Sequence, residues 1–290
     1  MWQKSENDNS RLKTSRRVLS GSFTCKARSN EKAQTEILRF DPSMLEDVKQ
    51  DAPLLGKGRF GTVVLQKFRS TPVAVKYFDQ STTSSMVEKE AKFLQECRHI
   101  NLPIIFGMNN SKTPYFIATQ FYGNENDMPA VTLHDIVTGG KSTVVISGHE
   151  HWLHITAQLV DALVYLHKKK MLHNDIKCDN ILIAVNTGLF SPILIDFGKA
   201  SLISEARKKT ISTLEQKRYR KEHCHIAPEI VDGTQPQSVK SDIYSVGVVL
   251  GSTYAFCKYR PLKEIAKRCL RTFTERCTTE QLHQIVEQFK

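Results

Sequence analysis

The 290-residue chain is 40% hydrophobic, enough for a substantial core in one large domain or in two lobes sharing a cleft. Its formal charge of +11 permits contact with anions, but Lys and Arg are scattered, so charge alone names no partner and no nucleic acid is expected. Seven cysteines, odd in number and without a CxxC pair, suggest neither a disulfide framework nor a zinc site, and a reducing compartment fits them.

Residues 1–40 are polar, Ser-rich and basic with few apolar anchors, which predicts a flexible tail. The start lacks the apolar core of a secretory signal, and no stretch approaches the roughly 18 apolar residues of a membrane span. A cytoplasmic or nuclear location is the expectation. Next, PLLGKGRFGTVVLQKF and TPVAVKYF are β-branched runs joined by a short polar link and predict a hairpin. SMVEKEAKFLQECRH has helical spacing, with Met86, Phe93, Leu94 and Cys97 as its apolar positions. LPIIFGM and PYFIATQF follow as strands, so the first half reads as an antiparallel sheet with one helix.

Past Gly123 the pattern changes. HWLHITAQLVDALVYLHKKK predicts a long amphipathic helix with lysines in its last turn, where the helix dipole favours them. Two short strands, NILIAV and PILIDF, interrupt a helical remainder, and SDIYSVGVVLGSTYAF is apolar around most of its circumference, the pattern of a buried helix. The predicted class is α+β in two lobes: a small sheet-rich lobe, a hinge near residues 120–123, and a larger helical lobe.

Four short stretches carry the chemistry. In GKGRFG the glycines Gly56, Gly58 and Gly61 follow a strand and run into another strand rather than a helix, which argues against a dinucleotide fold. Such a hairpin, with Lys57 in it, can close its backbone amides over phosphates. Lys76 sits mid-strand in VAVK, where a charged amine needs an anion; Glu88 or Glu90 on the next helix could supply it, and Glu90 shares the inward side with Leu94. HNDIKCDN, residues 173–180, packs two carboxylates, a lysine and an amide between apolar segments. Asn180 precedes one strand and Asp196 ends the strand that should pair with it, and an amide oxygen with a carboxylate suits Mg²⁺. Asp175 could accept a hydroxyl proton while Lys177 neutralises charge on a transferred group.

GKGRFGTV, VAVK, Glu90, HNDIKCDN, DFG at 196–198 and APE at 227–229 occur in the order of a known signature set. From about residue 47 to its end, the chain resembles a eukaryotic protein kinase, which implies a bilobal fold with lobes at about 47–122 and 123–290. By that resemblance the glycine-rich hairpin covers ATP, and Lys76 paired with Glu90 holds the α- and β-phosphates. Asn180 and Asp196 bind Mg²⁺, and Asp175 is the catalytic base. Val63, Ala74 and Leu182 would enclose adenine, with Thr119 as gatekeeper before hinge residues Gln120, Phe121 and Tyr122. Leu94, Ile105, His173 and Phe197 would stack between the lobes, Asp242 would tie back to the catalytic loop, and Glu229 would pair with Arg276. Lys177, two after the base, resembles the serine/threonine pattern. The implied function is transfer of the ATP γ-phosphoryl group to Ser/Thr hydroxyls of a protein substrate; the alternative is an ATP-binding pseudokinase scaffold.

The chain also departs from the family. Asn174 replaces the usual Arg that pairs with an activation-loop phosphate, so activity is expected not to require phosphorylation at Thr210, Ser212, Thr213 or Tyr219. KEHCHI at 221–226 lacks the usual Thr that steadies the catalytic Asp and Lys, which predicts a rebuilt substrate ledge. Between residues 199 and 226 there are eight Lys or Arg against three Glu, a charge that would attract acidic segments, although Asp179 lies where some basophilic members keep an acid. The short run between the buried helix and Arg276 predicts a shortened large lobe.

Overall fold

The computed structural model describes residues 37–48, 53–58, 60–123, 129–140, 144–186 and 188–290. Of the tail read over residues 1–40, residues 1–36 lie outside these. Residues 37–40 are not tail: the Phe40 amide donates to Met108 O at 2.8 Å, and its ring is 3% exposed, 4.4 Å from the Phe68 ring. Burial of one aromatic outweighs the polar composition around it.

The smaller lobe contains β1 (Leu45–Asp47), β2 (Leu54–Gly58), β3 (Gly61–Phe68), β4 (Thr71–Phe78), α1 (Ser84–Glu96), β5 (Ile105–Asn109) and β6 (Phe116–Gln120). The sheet is antiparallel in the order β1-β3-β4-β6-β5, with β2 also on β3. Side chains alternate across it. Val73, Val75, Phe116 and Ala118 enclose Phe40 on one face, while Ile117 packs with Val87, Ala91 and Leu94 of α1 on the other. That alternation places Ala74 and Lys76 on the α1 face, and the register sets Val63 and Ile117 beside Lys76 and Thr119 beside Ala74. Thr83 caps α1. The expected apolar face of α1 is corrected at one end: Met86 is 48% exposed, and Val87 is the buried residue of that turn.

Beyond the hinge come β7 (Val131–Thr132), α2 (Leu133–Val137), α3 (His149–Lys168), β8 (Met171–Leu172), β9 (Ile181–Asn186), β10 (Leu189–Leu194) and β11 (Ser201–Leu202). They are followed by α4 (Thr213–Glu222), α5 (Pro228–Val231), α6 (Val239–Cys257), α7 (Arg260–Cys269) and α8 (Thr279–Glu287). Leu159, Val160, Leu163 and Leu166 of α3 pack into one core with Ile243, Val246 and Leu250 of α6 and Leu282 of α8. Each such buried aliphatic side chain stabilises by about 1.5–3 kcal/mol. After α6 the described chain forms only α7 and α8. Two short pairings position the loops between these helices: β9 with β10, and β8 with β11. No described helix is long and apolar enough to cross a membrane.

Candidate active site

The charge in mid-strand has its anions. Lys76 Nζ donates to Glu90 Oε1 at 2.8 Å and Oε2 at 3.1 Å, and to Asp196 Oδ1 at 2.8 Å. Val87, Glu90, Ala91 and Leu94 form one buried stripe of α1, as helical spacing dictates. Glu88, the other candidate partner, turns to solvent and pairs with Lys92 at 2.9 Å. Burial pulls the Lys76 ammonium down, but the two carboxylates outweigh it and hold the amine above the ordinary lysine value. Burial pushes the Glu90 carboxyl up against the pull of Lys76, whereas at Asp196 the Lys76 charge and hydrogen bond overcome burial and keep it below its ordinary value. Lys76 is therefore the fixed charge of the cluster. Gly198 lies against it: a Cβ there would stand 3.3 Å from Asp196 Oδ1 and from Glu90 Oε2.

A second cluster is built on the backbone of HNDIKCDN. Asp242, buried on α6, accepts the amides of His173 and Asn174 at 2.9 Å each and also meets His167 Nε2 at 3.1 Å. The two amides share one carboxylate because Asn174 turns left-handed, at φ 66°, a conformation Asn tolerates better than most residues. His173 accepts the Asp175 amide at Nδ1 and faces Ile195 O with Nε2, and burial lowers its pKa, so it is a neutral imidazole holding the loop. Its ring meets Phe197 edge-on at 5.0 Å. The Asn174 side-chain Nδ2 donates to Lys199 O at 3.0 Å and Ser201 Oγ at 2.9 Å, fastening the chain that follows Asp196.

Asp175 emerges from this frame with three hydrogen-bonding groups and one further cation around its carboxylate. Asn180 Nδ2 reaches Oδ2 at 3.0 Å and Lys177 Nζ lies 3.4 Å from it; Lys199 Nζ lies 2.6 Å and His225 Nε2 3.3 Å from Oδ1. Burial pushes this carboxyl up, yet the His225 and Lys199 hydrogen bonds and the two lysine charges together hold it far below the usual carboxylate range. Lys199 and His225 were not among the residues predicted from sequence. Lys199 directly follows DFG, and His225 sits in the segment read as a rebuilt ledge, so position was the available signal.

The residues expected to hold a divalent ion fit one. The β9–β10 register pairs Ile181 with Leu194, and the Ile195 amide donates to Asn180 O at 2.9 Å, which brings Asn180 beside the strand end that carries Asp196. Asn180 spends its NH₂ on Asp175, leaving Oδ1 as its acceptor, and Asp196 gives only Oδ1 to Lys76. One amide oxygen and one carboxylate oxygen suit a hard cation that keeps further positions for phosphate and water.

The residues expected from sequence to face a nucleotide are split between sheet and hairpin. Val63, Ala74 and Leu182 are each half-buried and apolar, and Thr119 donates to Ala74 O at 3.4 Å. The Gln120 amide bonds Ile104 O at 2.8 Å, and Tyr122 O accepts the Ala130 amide at 2.8 Å, which anchors both sides of the hinge. Gly56 and Gly58 face open space beside the exposed Lys57. Gly61 has φ +149°, and a Cβ there would fall 1.9 Å from Tyr77 O, so only glycine fits the strand start. Glu229 and Arg276 form a buried pair at 2.5 and 3.1 Å behind this site. Chemically, the assembly brings together a largely buried ammonium for phosphate, two oxygens suited to a divalent ion, an ionised carboxylate and two further lysines.

The model of the protein kinase domain matches residues 50–289. The chain belongs to the protein kinase family. Among curated relatives, a probable serine/threonine-protein kinase of Dictyostelium discoideum is 26% identical over 240 residues, covering 77% of this chain and 37% of that protein. An Aurora kinase of Schizosaccharomyces pombe is 30% identical over 212 residues, covering 70% and 52%, and a mitogen-activated protein kinase kinase kinase of Caenorhabditis elegans is 28% identical over 222 residues, covering 76% and 21%. The chain thus spans about half or less of the length of these relatives.

Proposed function

We propose that the protein transfers the γ-phosphoryl group of ATP to serine or threonine hydroxyls of a protein substrate. The observation that carries this reading is the convergence of Lys76, Glu90 and Asp196 with Asp175 and Asn180 through the β9–β10 hairpin. Val63, Ala74 and Leu182 receive the adenine, and hinge residues Gln120 and Tyr122 border it. The backbone of Gly56, Gly58 and Gly61 covers the phosphates, which Lys76 draws toward Asp196. Asn180 and Asp196 would hold Mg²⁺, which when bound supplies positive charge to the phosphate oxygens. The substrate hydroxyl oxygen forms a bond to the γ-phosphorus as the bond from that phosphorus to the β-phosphate's bridging oxygen breaks, ADP leaves, and the hydroxyl proton passes to Asp175. Lys177 offsets the charge on the moving group. Names of the serine/threonine-protein kinase relatives and the placement of Lys177 support the choice of hydroxyl.

The test is transfer of radiolabelled phosphate from ATP to generic protein substrates with Mg²⁺. Asp175→Asn is expected to lower kcat by roughly 10²-fold or more with ATP affinity retained. Equal incorporation by both proteins would favour the scaffold reading, a nucleotide-binding pseudokinase.

A further inference from the structure

An ionised carboxylate offers about four lone-pair sites. In Asp175 both sites of Oδ1 face partners, Lys199 and His225, while Oδ2 accepts from Asn180 and has Lys177 ion-paired beside it without a hydrogen bond. A hydroxyl that is to donate its proton to Oδ1 must displace one of its two partners. Asn180 is buried and also tied to the Asp175 backbone, at 2.9 Å to its O. His225 has a side chain 10% exposed, and its backbone O accepts the hydroxyl of Ser245 on α6 at 2.7 Å, so it too is fixed. Lys177, at 3.4 Å, is the weakest of the contacts and blocks least. Lys199 makes the shortest contact, at 2.6 Å, and its side chain is the most exposed of the four at 38%. It both occupies the acceptor site and is free to leave through solvent.

Building on the phosphotransfer reading, we propose that Lys199 is a specificity-determining latch on Asp175, released when the substrate brings an acidic side chain beside its acceptor hydroxyl. A lysine leaving a 2.6 Å ion pair needs another anion. The acids of its own segment are engaged: Glu205 with Lys89 at 3.0 Å, Glu215 in the cap of α4 with Ser212, and Glu222 with Arg218 at 3.5 Å. The ATP phosphates already have Lys76 and Lys177 for cations. The anion therefore comes from the polypeptide to be modified, and the surplus of Lys and Arg between residues 199 and 226 draws such a segment to this side of the cleft. A substrate without that acid meets a base whose Oδ1 is still occupied.

The experiment compares two serine peptides that differ only in Asp or Ala next to the acceptor, with wild type, Lys199→Met, Lys199→Arg and Asp175→Asn. Wild type is expected to prefer the acidic peptide roughly two- to fivefold in kcat/KM, the worth of a half-exposed ion pair. Lys199→Met is expected to raise transfer to the neutral peptide and erase the preference, while Lys199→Arg retains it. Unchanged thermal unfolding and nucleotide binding in the Met variant are part of that expectation. Loss of transfer to both peptides in Lys199→Met, or a wild type without preference, overturns the latch alone. No transfer by wild type to either peptide, matching Asp175→Asn, overturns the phosphotransfer reading and the latch with it.

Discussion

Asn174, read from the sequence as a replacement for the arginine usual in the family, has a geometry that gives this reading a physical content. Its backbone is left-handed at φ 66°, its amide proton goes to Asp242, and its side chain bonds Lys199 O and Ser201 Oγ. A short neutral amide thus makes the connection to the segment after DFG directly. Asn174→Ala loses both side-chain bonds and puts a Cβ residue without local compensation in the left-handed region. It is expected to destabilise the fold by about 1–3 kcal/mol in chemical denaturation, and Asn174→Gly by less because glycine accepts that backbone. At this scale the sequence was informative where chemistry restricts the residue type. Lys76 in an apolar strand demanded a buried acid, and Glu90 is there. It was silent where a contact depends on which loop folds over which: nothing in KEHCHI announces that His225 rather than His223 reaches Asp175.

Elements with a strong apolar period were legible from sequence: the sheet of the small lobe, α1, α3, the β9–β10 strands and α6 all lie where the pattern puts them. The helix α4 was not. It buries no residue, and Leu214 on it is 79% exposed, so there is no apolar stripe to read. Its only signal is the capping box, in which Ser212 accepts the Glu215 amide and Glu215 reaches back to Ser212; the same device, Thr132 with Asp135, starts the unread α2. The segment carrying α4 is held by the β8–β11 pair, by Asn174 and by the Glu229–Arg276 ion pair, none of which needs a phosphate. The variants Thr210→Ala, Thr213→Ala and Tyr219→Phe are accordingly expected to keep phosphotransfer within about twofold of wild type, a barrier change near 0.4 kcal/mol. Ser212→Ala should lower the stability of α4 by about 1 kcal/mol through loss of its cap. Loss of activity in the triple variant, with recovery on acidic replacement, would show that a loop phosphate is required after all.

Across the whole molecule, stability draws on buried charges that are held in pairs. Arg276 is 3% exposed and donates to both oxygens of Glu229 and to the carbonyls of Lys240 and Arg271, joining the APE segment, the start of α6 and the turn before α8. Removing one partner leaves the other charged and dry. Arg276→Ala is expected to cost about 3–5 kcal/mol in a denaturant titration, and Arg276→Lys most of that, because an ammonium cannot reproduce the forked contact. The two-lobe architecture was readable from the switch between β-rich and helical patterns near the hinge. The start of the packed chain was not, since one aromatic, Phe40, decides it, and composition averages over single residues.

Asp242 has a consequence for motion. It holds the amide protons of His173 and Asn174 from the floor of the helical lobe, in a stretch that belongs to no helix and only borders the short β8. Irregular segments normally trade such protons with solvent quickly through local opening. These two should instead exchange with deuterium as slowly as the interior of α6, and Asp242→Asn should speed both by orders of magnitude while the amides of β4 keep their protection. The segment that carries Asp175 would then share the opening energy of the helix that holds it.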